Sequence, residues 1–444
     1  MARRSARTQP VNTTLQKGRK STQRERLVNG MIAVGNRDGY AHANVSAVIE
    51  QAGVSRPTFY DYFTDKDDCF LAVLADIHAR LAVEVRQAVE SQAPGQALEA
   101  TIGVLVAFAS SEPAMALFLM SEAMAAGPRA LDARDEGIAE IEQIIEEAYR
   151  QAPAGTAIPD VSSRIVIGGL YRLLASRLRR GEPGIAGLLE DLLDWIRSYE
   201  QPAGEHRWRT LKPGPSPAPS PLLAEIPLRA LSALPPGRPG LSKEQVAENH
   251  RLRILFAAAQ LAEEKGYNAT TIADITRLAG VDGRAFYASF PDKQDAFMTV
   301  HEIGVQQVMS ATAGAFFTGA SWPERIRKAG RAFTGFLETN PMITRVGFVQ
   351  AYAVGPGAVQ RIEDSHIAFT IFLQEGYEHQ PQRTPPPSRL ALEAMITSIF
   401  EIVYHQARES AEPKISGLLG HMAFLCLTPF LGTAEANRFI DQPL

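Results

Sequence analysis

The chain repeats itself. Without a gap, and at an offset of 227 residues, 24–70 lies over 251–297. Gly39-Tyr40 matches Gly266-Tyr267, Ala52-Gly53-Val54 matches Ala279-Gly280-Val281, and Phe59-Tyr60 matches Phe286-Tyr287. The run Phe63-x-Asp65-Lys66-x-Asp68-x-Phe70 returns as Phe290-x-Asp292-Lys293-x-Asp295-x-Phe297. Chance does not keep one register over 47 positions, so the 444 residues are two copies of one unit. Between them, 201–240 holds ten of the 29 prolines, several in strict alternation. Proline fixes φ and removes a donor, so this stretch is expected to be a semi-extended linker that packs on nothing.

Both copies read as all-α. Three-and-four spacing of apolar residues recurs, and strand-like alternation is nearly absent. Leu27, Val28, Met31 and Ile32 line one helix face, and Val45, Val48, Ile49 and Ala52 line the next. Ile254, Leu255, Ala258 and Ala259, then Ile272, Ile275 and Ala279, repeat the pattern. Gly39 and Gly266 stand at helix C-termini, and Asn44 and Thr271 stand at N-cap positions.

The second helix is followed by Ala52-Gly53-Val54-Ser55 and a short third helix running to about Phe63. Gly53 permits a tight turn, Val54 fills the gap between helices, and Ser55 caps the third helix. This is a helix-turn-helix. Phe59 and Phe63 share the core side, leaving Pro57, Thr58, Tyr60 and Asp61 outward, with Arg56 at the helix start. A cation, hydroxyls and an aromatic are the chemistry of a helix that reads the major groove of double-stranded DNA. Lys66 opens the fourth helix, where an ammonium and a helix N-terminus together suit a phosphate.

Charge agrees. The net charge is −4, yet 1–63 carries ten Lys/Arg against four Asp/Glu, and the remainder is acidic. A basic end on an acidic body suits a polyanion docking at that end. The arm holding Arg3, Arg4, Arg7, Lys17, Arg19 and Lys20 has two readings, a tracker of phosphates or minor groove and a solubilising tail.

The stretch Val45-x-x-Val48-x-x-x-Ala52-Gly53-Val54-Ser55-x-x-Thr58-Phe59-Tyr60-x-Tyr62-Phe63-x-Asp65-Lys66 resembles the DNA-binding signature of the TetR-like transcriptional regulators. The resemblance implies that Asn44, Ser46, Arg56, Pro57, Thr58, Tyr60, Tyr62 and Lys66 meet DNA, the central three facing bases and Tyr60, Tyr62 and Lys66 holding phosphates. Asp61 departs from what a DNA face carries. In the second copy the matching DNA residues are Thr271, Arg284, Tyr287 and Lys293; Asp282 replaces the serine cap, Gly283-Arg284-Ala285 replaces Arg56-Pro57-Thr58, and Ser289 replaces Tyr62. Six basic and six acidic residues leave 243–290 neutral, so this copy is either a weaker DNA reader or a scaffold retained for pairing.

Family members follow these helices with a ligand-binding and pairing body. The implied organisation is a basic arm 1–23, a first DNA-binding domain 24–66, a first body 67–200, the linker 201–241, a second DNA-binding domain 242–293 and a second body 294–444. The last two helices of each copy, 162–180 with 185–199 and 390–409 with 415–432, have broad apolar faces suited to pairing, as an intramolecular pseudo-dimer or as a homodimer. Candidate ligand contacts are Met115, Phe118, Leu119 and Glu122 in the first copy. In the second they are Phe336, Phe348, Tyr352, His366, Phe369 and Tyr404, an apolar set with a few polar groups. The function expected is a sequence-specific regulator, a repressor released by a small, largely apolar effector.

Other classes are disfavoured. No Gly-x-Ser-x-Gly elbow, phosphate-binding loop or His-Glu-x-x-His motif occurs, so neither an enzyme, a metal site nor a cofactor is expected. With 45% apolar and 21% charged residues, the composition is globular. Two cysteines, Cys69 and Cys426, make neither a disulfide framework nor a four-ligand zinc site, and point to a cytoplasmic, reducing setting. Apolar runs fall short of the roughly 20 residues that span a bilayer, so no membrane partner is expected.

Overall fold

The computed structural model describes residues 22–204, 206–216, 242–379, 385–410 and 412–443. The arm cations named above and the later part of the linker lie outside the described residues. The first copy contains α1 (Gln23–Asp38), α2 (Val45–Ala52), α3 (Arg56–Tyr62), α4 (Lys66–Glu90), α5 (Ala97–Ser111), α6 (Pro113–Leu117), α7 (Ala123–Ala125), α8 (Pro128–Gln151), α9 (Ser163–Arg179) and α10 (Leu189–Arg197). The second contains α11 (Lys243–Lys265), α12 (Ile272–Ala279), α13 (Gly283–Ser289), α14 (Lys293–Phe316), α15 (Trp322–Thr339), α16 (Pro341–Arg345), α17 (Pro356–Ile367), α18 (Ile371–Gln374), α19 (Arg389–Glu409), α20 (Leu419–Leu431) and α21 (Thr433–Ile440). The all-α architecture in two tandem units is as expected. The repeat continues into the bodies at an offset of 228: π-helical turns occupy Phe118–Glu122 and Val346–Gln350, each followed by a Gly-Pro step into the next long helix.

Local chemistry sets the helix ends. Thr22 accepts from the Glu25 amide while Glu25 bonds back to the Thr22 amide, and Ser242 with Gln245 repeats this box. Asp65 and Asp292 cap the long fourth helices by accepting from Asp68 and Asp295.

The pairing faces meet within the chain. Helices α9 and α19 cross so closely that a Cβ on Gly168 would fall 2.4 Å from the Glu401 carboxylate, and one on Gly169 would fall 2.5 Å from Ser398 Oγ. Tyr199, just past α10, accepts from Trp195 Nε1 at 2.8 Å and donates to the Leu425 carbonyl on α20 at 2.8 Å. One hydrophobic core therefore runs from the first body through this seam into the second.

Buried charge sits in the seam. Glu401 accepts from Arg134 Nη1 at 2.8 Å and from Arg172 Nε at 2.7 Å, and Arg172 Nη1 donates to Tyr352 Oη at 2.5 Å. Arg134 and Glu401 are wholly buried; Arg134 also donates to the neighbouring Asp135 at 3.0 Å, whereas Glu401 finds both of its guanidinium partners in the other copy.

The linker departs from expectation at its start. Glu200–Pro202 pairs antiparallel with Ala157–Pro159, the one sheet among the described residues. The Asp160 carboxylate then accepts from the amides of Arg207, Trp208 and Arg209, at 3.1, 2.9 and 3.1 Å. Trp208 is buried on Phe424, donates to Asn437 at 2.8 Å, and is followed by a Gly214 amide bond to Gly417. Proline count missed this because one tryptophan supplies enough apolar area to dock an otherwise open segment.

Candidate nucleic-acid interface

Each head is three helices closed on the first turn of a long fourth one. At the α2–α3 turn Gly53 adopts φ 60°, ψ 43°, a left-handed conformation in which an L side chain is strained, and Gly280 repeats it at φ 60°. A cation fastens this turn to the first helix: Arg26 Nε donates to the Ala52 carbonyl at 2.8 Å and its Nη2 to that of Gly53, while Arg253 Nη2 donates to Gly280 O at 3.2 Å. Sequence reading missed both arginines, although their register across the repeat was available.

Helix α3 starts from Ser55, whose Oγ accepts from the Thr58 amide at 3.3 Å and lies 2.8 Å from Thr58 Oγ1. Phe59 and Phe63 are buried. Arg56, Pro57, Tyr60 and Tyr62 are exposed, the two tyrosines at 50% and 44%, values unusual for aromatics with no partner to cover them. The Arg56 guanidinium lies 6.0 Å from the centre of the Tyr60 ring, which places a cation and a phenol on one face. Thr58 is half-buried, Ser46 is exposed on α2, and Asn44 uses its side chain to cap α2 by accepting from Ala47 N at 3.0 Å.

The second head has the same frame with less free charge. Arg284 is exposed and Tyr287 is 61% exposed. Thr271 is engaged in a capping box with Asp274, which also pairs with Lys265 and Arg277, each at 2.5 Å. The bonds from Lys265 and Thr271 hold the Asp274 carboxyl well below its ordinary range.

Lys66 and Lys293 differ from the expectation of phosphate contacts. Lys66 Nζ donates to the Tyr40 carbonyl at 3.1 Å and lies 3.9 Å from the centre of the Tyr40 ring. Lys293 donates to the carbonyls of Tyr267 and Thr270, both at 2.9 Å, with the Tyr267 ring centre 4.0 Å away. Both line a polar gap of about 330 Å³ between the heads, apart from the exposed tyrosines, and burial lowers both pKa values. The Tyr40 and Tyr267 carbonyls each accept from one amide, of Ala43 and Thr270 at 3.2 Å, and these ammonium groups occupy the second lone pair.

The proposed ligand contacts divide. Phe118 is buried against Phe70 and against α1 at Gly35, with Leu119 fully buried and Met115 half-buried beside it. The Tyr40 amide donates to Glu122 Oε2 at 3.0 Å, and burial pushes the Glu122 carboxyl up to about 7. This set joins the first head to its body; Glu122 lines a cleft of about 10 Å³ shared with Tyr40 and Tyr352, and none of the four lines the cavities of the second body. In the second copy the Tyr267 amide makes the same bond to Gln350, at 3.1 Å. Tyr352 and Tyr404 belong to the seam, bonded to Arg172 and Asp135. Phe336, Phe348, His366 and Phe369 do come together, around an apolar cavity in the second body.

The family model for bacterial regulatory proteins of the tetR family matches residues 33–73 and again 254–297, one match in each head. The chain carries the DNA-binding part of this family twice, once in each tandem copy. Among curated proteins, the chain is 26% identical over 123 residues to the HTH-type transcriptional activator FasR of Mycolicibacterium smegmatis, a match covering 28% of this chain. It spans 56% of that relative's length. Solved structures similar to it include the fatty acid degradation regulator FadR of Bacillus halodurans, 16% identical over 43% of this chain and 100% of that one, with a TM-score of 0.36. FadR of Bacillus subtilis, solved in complex with stearoyl-CoA, is 15% identical over 39% of this chain and 97% of that one, with a TM-score of 0.35. Among the described residues no metal-binding cluster occurs, and no single helix is long and apolar enough to cross a membrane.

Proposed function

We propose that one chain binds a double-stranded DNA operator with α3 and α13 as the two reading helices of an intramolecular pseudo-dimer, and that a small, largely apolar effector in the second body controls this binding. The observation that carries the reading is the exposed set Arg56, Pro57, Tyr60 and Tyr62 on a capped helix, beside pairing faces that are already satisfied within the chain. Arg56, Pro57 and Thr58 face bases and Tyr60 and Tyr62 face phosphates; Arg284 and Tyr287 serve the second half-site. The family match and the relative's name as a transcriptional activator support regulation. A chain whose DNA binding is released by an effector represses wherever its operator overlaps a promoter. Release follows when the effector binds better to a body conformation that misplaces the reading helices, by the ratio of its affinities for the two states.

Arg56-Pro57-Thr58 and Gly283-Arg284-Ala285 present different donors, so the half-sites are dissimilar, about 34–36 Å apart or a multiple of that. Footprinting with light scattering of the complex tests this. One chain protecting two unlike half-sites is expected. Two chains on a true palindrome, touched only by first copies, would make the second copy a scaffold.

A further inference from the structure

Two apolar cavities, of about 70 and 30 Å³, adjoin in the second body and share the rings of Phe333, Phe369 and Phe400. No lysine, arginine, aspartate or glutamate lines either. His301 and His366 line the smaller one, their ring centroids 6.4 Å apart. His366 is stacked on Phe348 and Phe400, at 5.7 and 4.2 Å. His301 is 4% exposed, and its Nε2 has no hydrogen-bond partner. A buried imidazole nitrogen left unpaired is costly, and folded chains keep such an atom where something else completes it.

The first body provides an internal comparison. Along the fourth helices the 227-residue offset sets Leu74 at the place of His301, and the 228-residue offset sets Ile138 at the place of His366. Leu105, Met120 and Ile141 likewise stand for Phe333, Phe348 and Phe369. All five are buried in the core and line neither cavity. At the matched positions apolar side chains replace both histidines in the twin, whose own buried imidazole with an unpaired Nε2, His78, stands one turn further along α4 and lines neither cavity.

We propose that the second body binds an uncharged, mostly apolar molecule carrying one hydrogen-bonding oxygen, which pairs with Nε2 of His301. This deepens the effector reading above and rests on it. An ion is excluded because nothing in the cavity wall would balance it once its water is stripped. The cations that act on the two rings from outside, Arg361 and Arg172, face carboxylates of their own: Arg361 lies 3.9 Å from Glu302 at the surface, and Arg172 is bonded to Glu401. Burial lowers the His301 pKa to about 4 and that of His366 well below its ordinary value, so both rings are neutral at physiological pH. A neutral imidazole offers Nε2 as donor or as acceptor according to its tautomer, and a hydroxyl satisfies either.

The test uses the full chain, titrated near neutral pH by calorimetry with octanol, octanoate and octylammonium as matched probes. Octanol is expected to bind about tenfold or more tighter than either ion. His301→Leu, the choice of the first body, is expected to fold and to weaken octanol roughly three- to tenfold, with His301→Gln restoring much of the loss. Octanoate binding as tightly as octanol, indifference of octanol to His301→Leu, or no binding of octanol would each overturn the inference. If octanol binds as expected yet leaves operator affinity unchanged, the inference stands and the effector reading fails.

Discussion

Replacing Glu401 by glutamine tests whether the seam is held by buried charge. The carboxylate is the direct partner of two guanidinium groups, at 2.8 and 2.7 Å, and side-chain exposure is 0% for Glu401 and Arg134 and 5% for Arg172. Glutamine keeps the shape and one acceptor but leaves Arg172 with no paired carboxylate and Arg134 with Asp135 alone, at 3.0 Å, in a dry seam. Breaking a buried pair in this way costs about 3–5 kcal/mol, enough to lower a melting midpoint by on the order of 5–10 °C. The pH dependence has a fixed sign. Burial opposes ionisation of Glu401, and Arg134 and Arg172 overcome it, holding the carboxyl below its usual range. A depressed folded-state value contributes stability that is complete above the unfolded value of about 4.3 and is lost as pH falls toward the folded one. The wild-type advantage over Glu401→Gln is therefore expected to hold near neutrality and to shrink below about pH 4.3. The companion variant Arg134→Met/Arg172→Met/Glu401→Leu removes every charge of the triad and is expected to melt close to wild type, because well-packed apolar side chains replace such clusters at little cost. Calorimetric melting across pH reads all of this. Coincident melting of Glu401→Gln and wild type at neutral pH would refute the reasoning.

Arg56→Ala is expected to cost about 1–3 kcal/mol against the best operator and to relax base preference at one position, read by gel shift at fixed salt, while Arg284→Ala costs less. Lys66→Ala is expected to destabilise the first head by up to about 1 kcal/mol, read as a lower melting midpoint of the protein without DNA, because the Tyr40 carbonyl keeps the Ala43 amide but loses the charged second donor, and the Tyr40 ring loses its cation. For Glu122 the folded-state pKa is raised to about 7, so the folded chain holds a proton that the unfolded chain releases, and stability falls as pH rises from about 4.5 to 7. Glu122→Gln, which copies Gln350 of the second copy, is expected to match wild type near pH 4.5 and to exceed it by up to about 3 kcal/mol above pH 7, measured by denaturant melts.

Much of this protein was legible along the chain because the physics involved is local. A cap acts within three residues of itself, as Ser55 does on Thr58 and Thr22 on Glu25; a left-handed turn belongs to Gly53 alone; and the burial of Phe59 and Phe63 follows from helical spacing. The repeat then carried each of these features to the second head. Tertiary structure decided whatever depends on residues far apart. Arg134 and Arg172 find Glu401 across 267 and 229 residues, and no local pattern marks which charge on a long helix will be buried. Trp208 turned part of a proline-rich stretch into packed structure through contacts with Phe424 and Asn437. Glu122 and Gln350 became joints between head and body because each met an amide that a helix end had left free, and Lys66 became a strap within its head as second donor to the Tyr40 carbonyl. The cavities lie in the second body because that is where phenylalanine and histidine side chains from five α-helices, a π-helical turn and a 3-10 turn enclose space, and enclosure is a property of the packing as a whole.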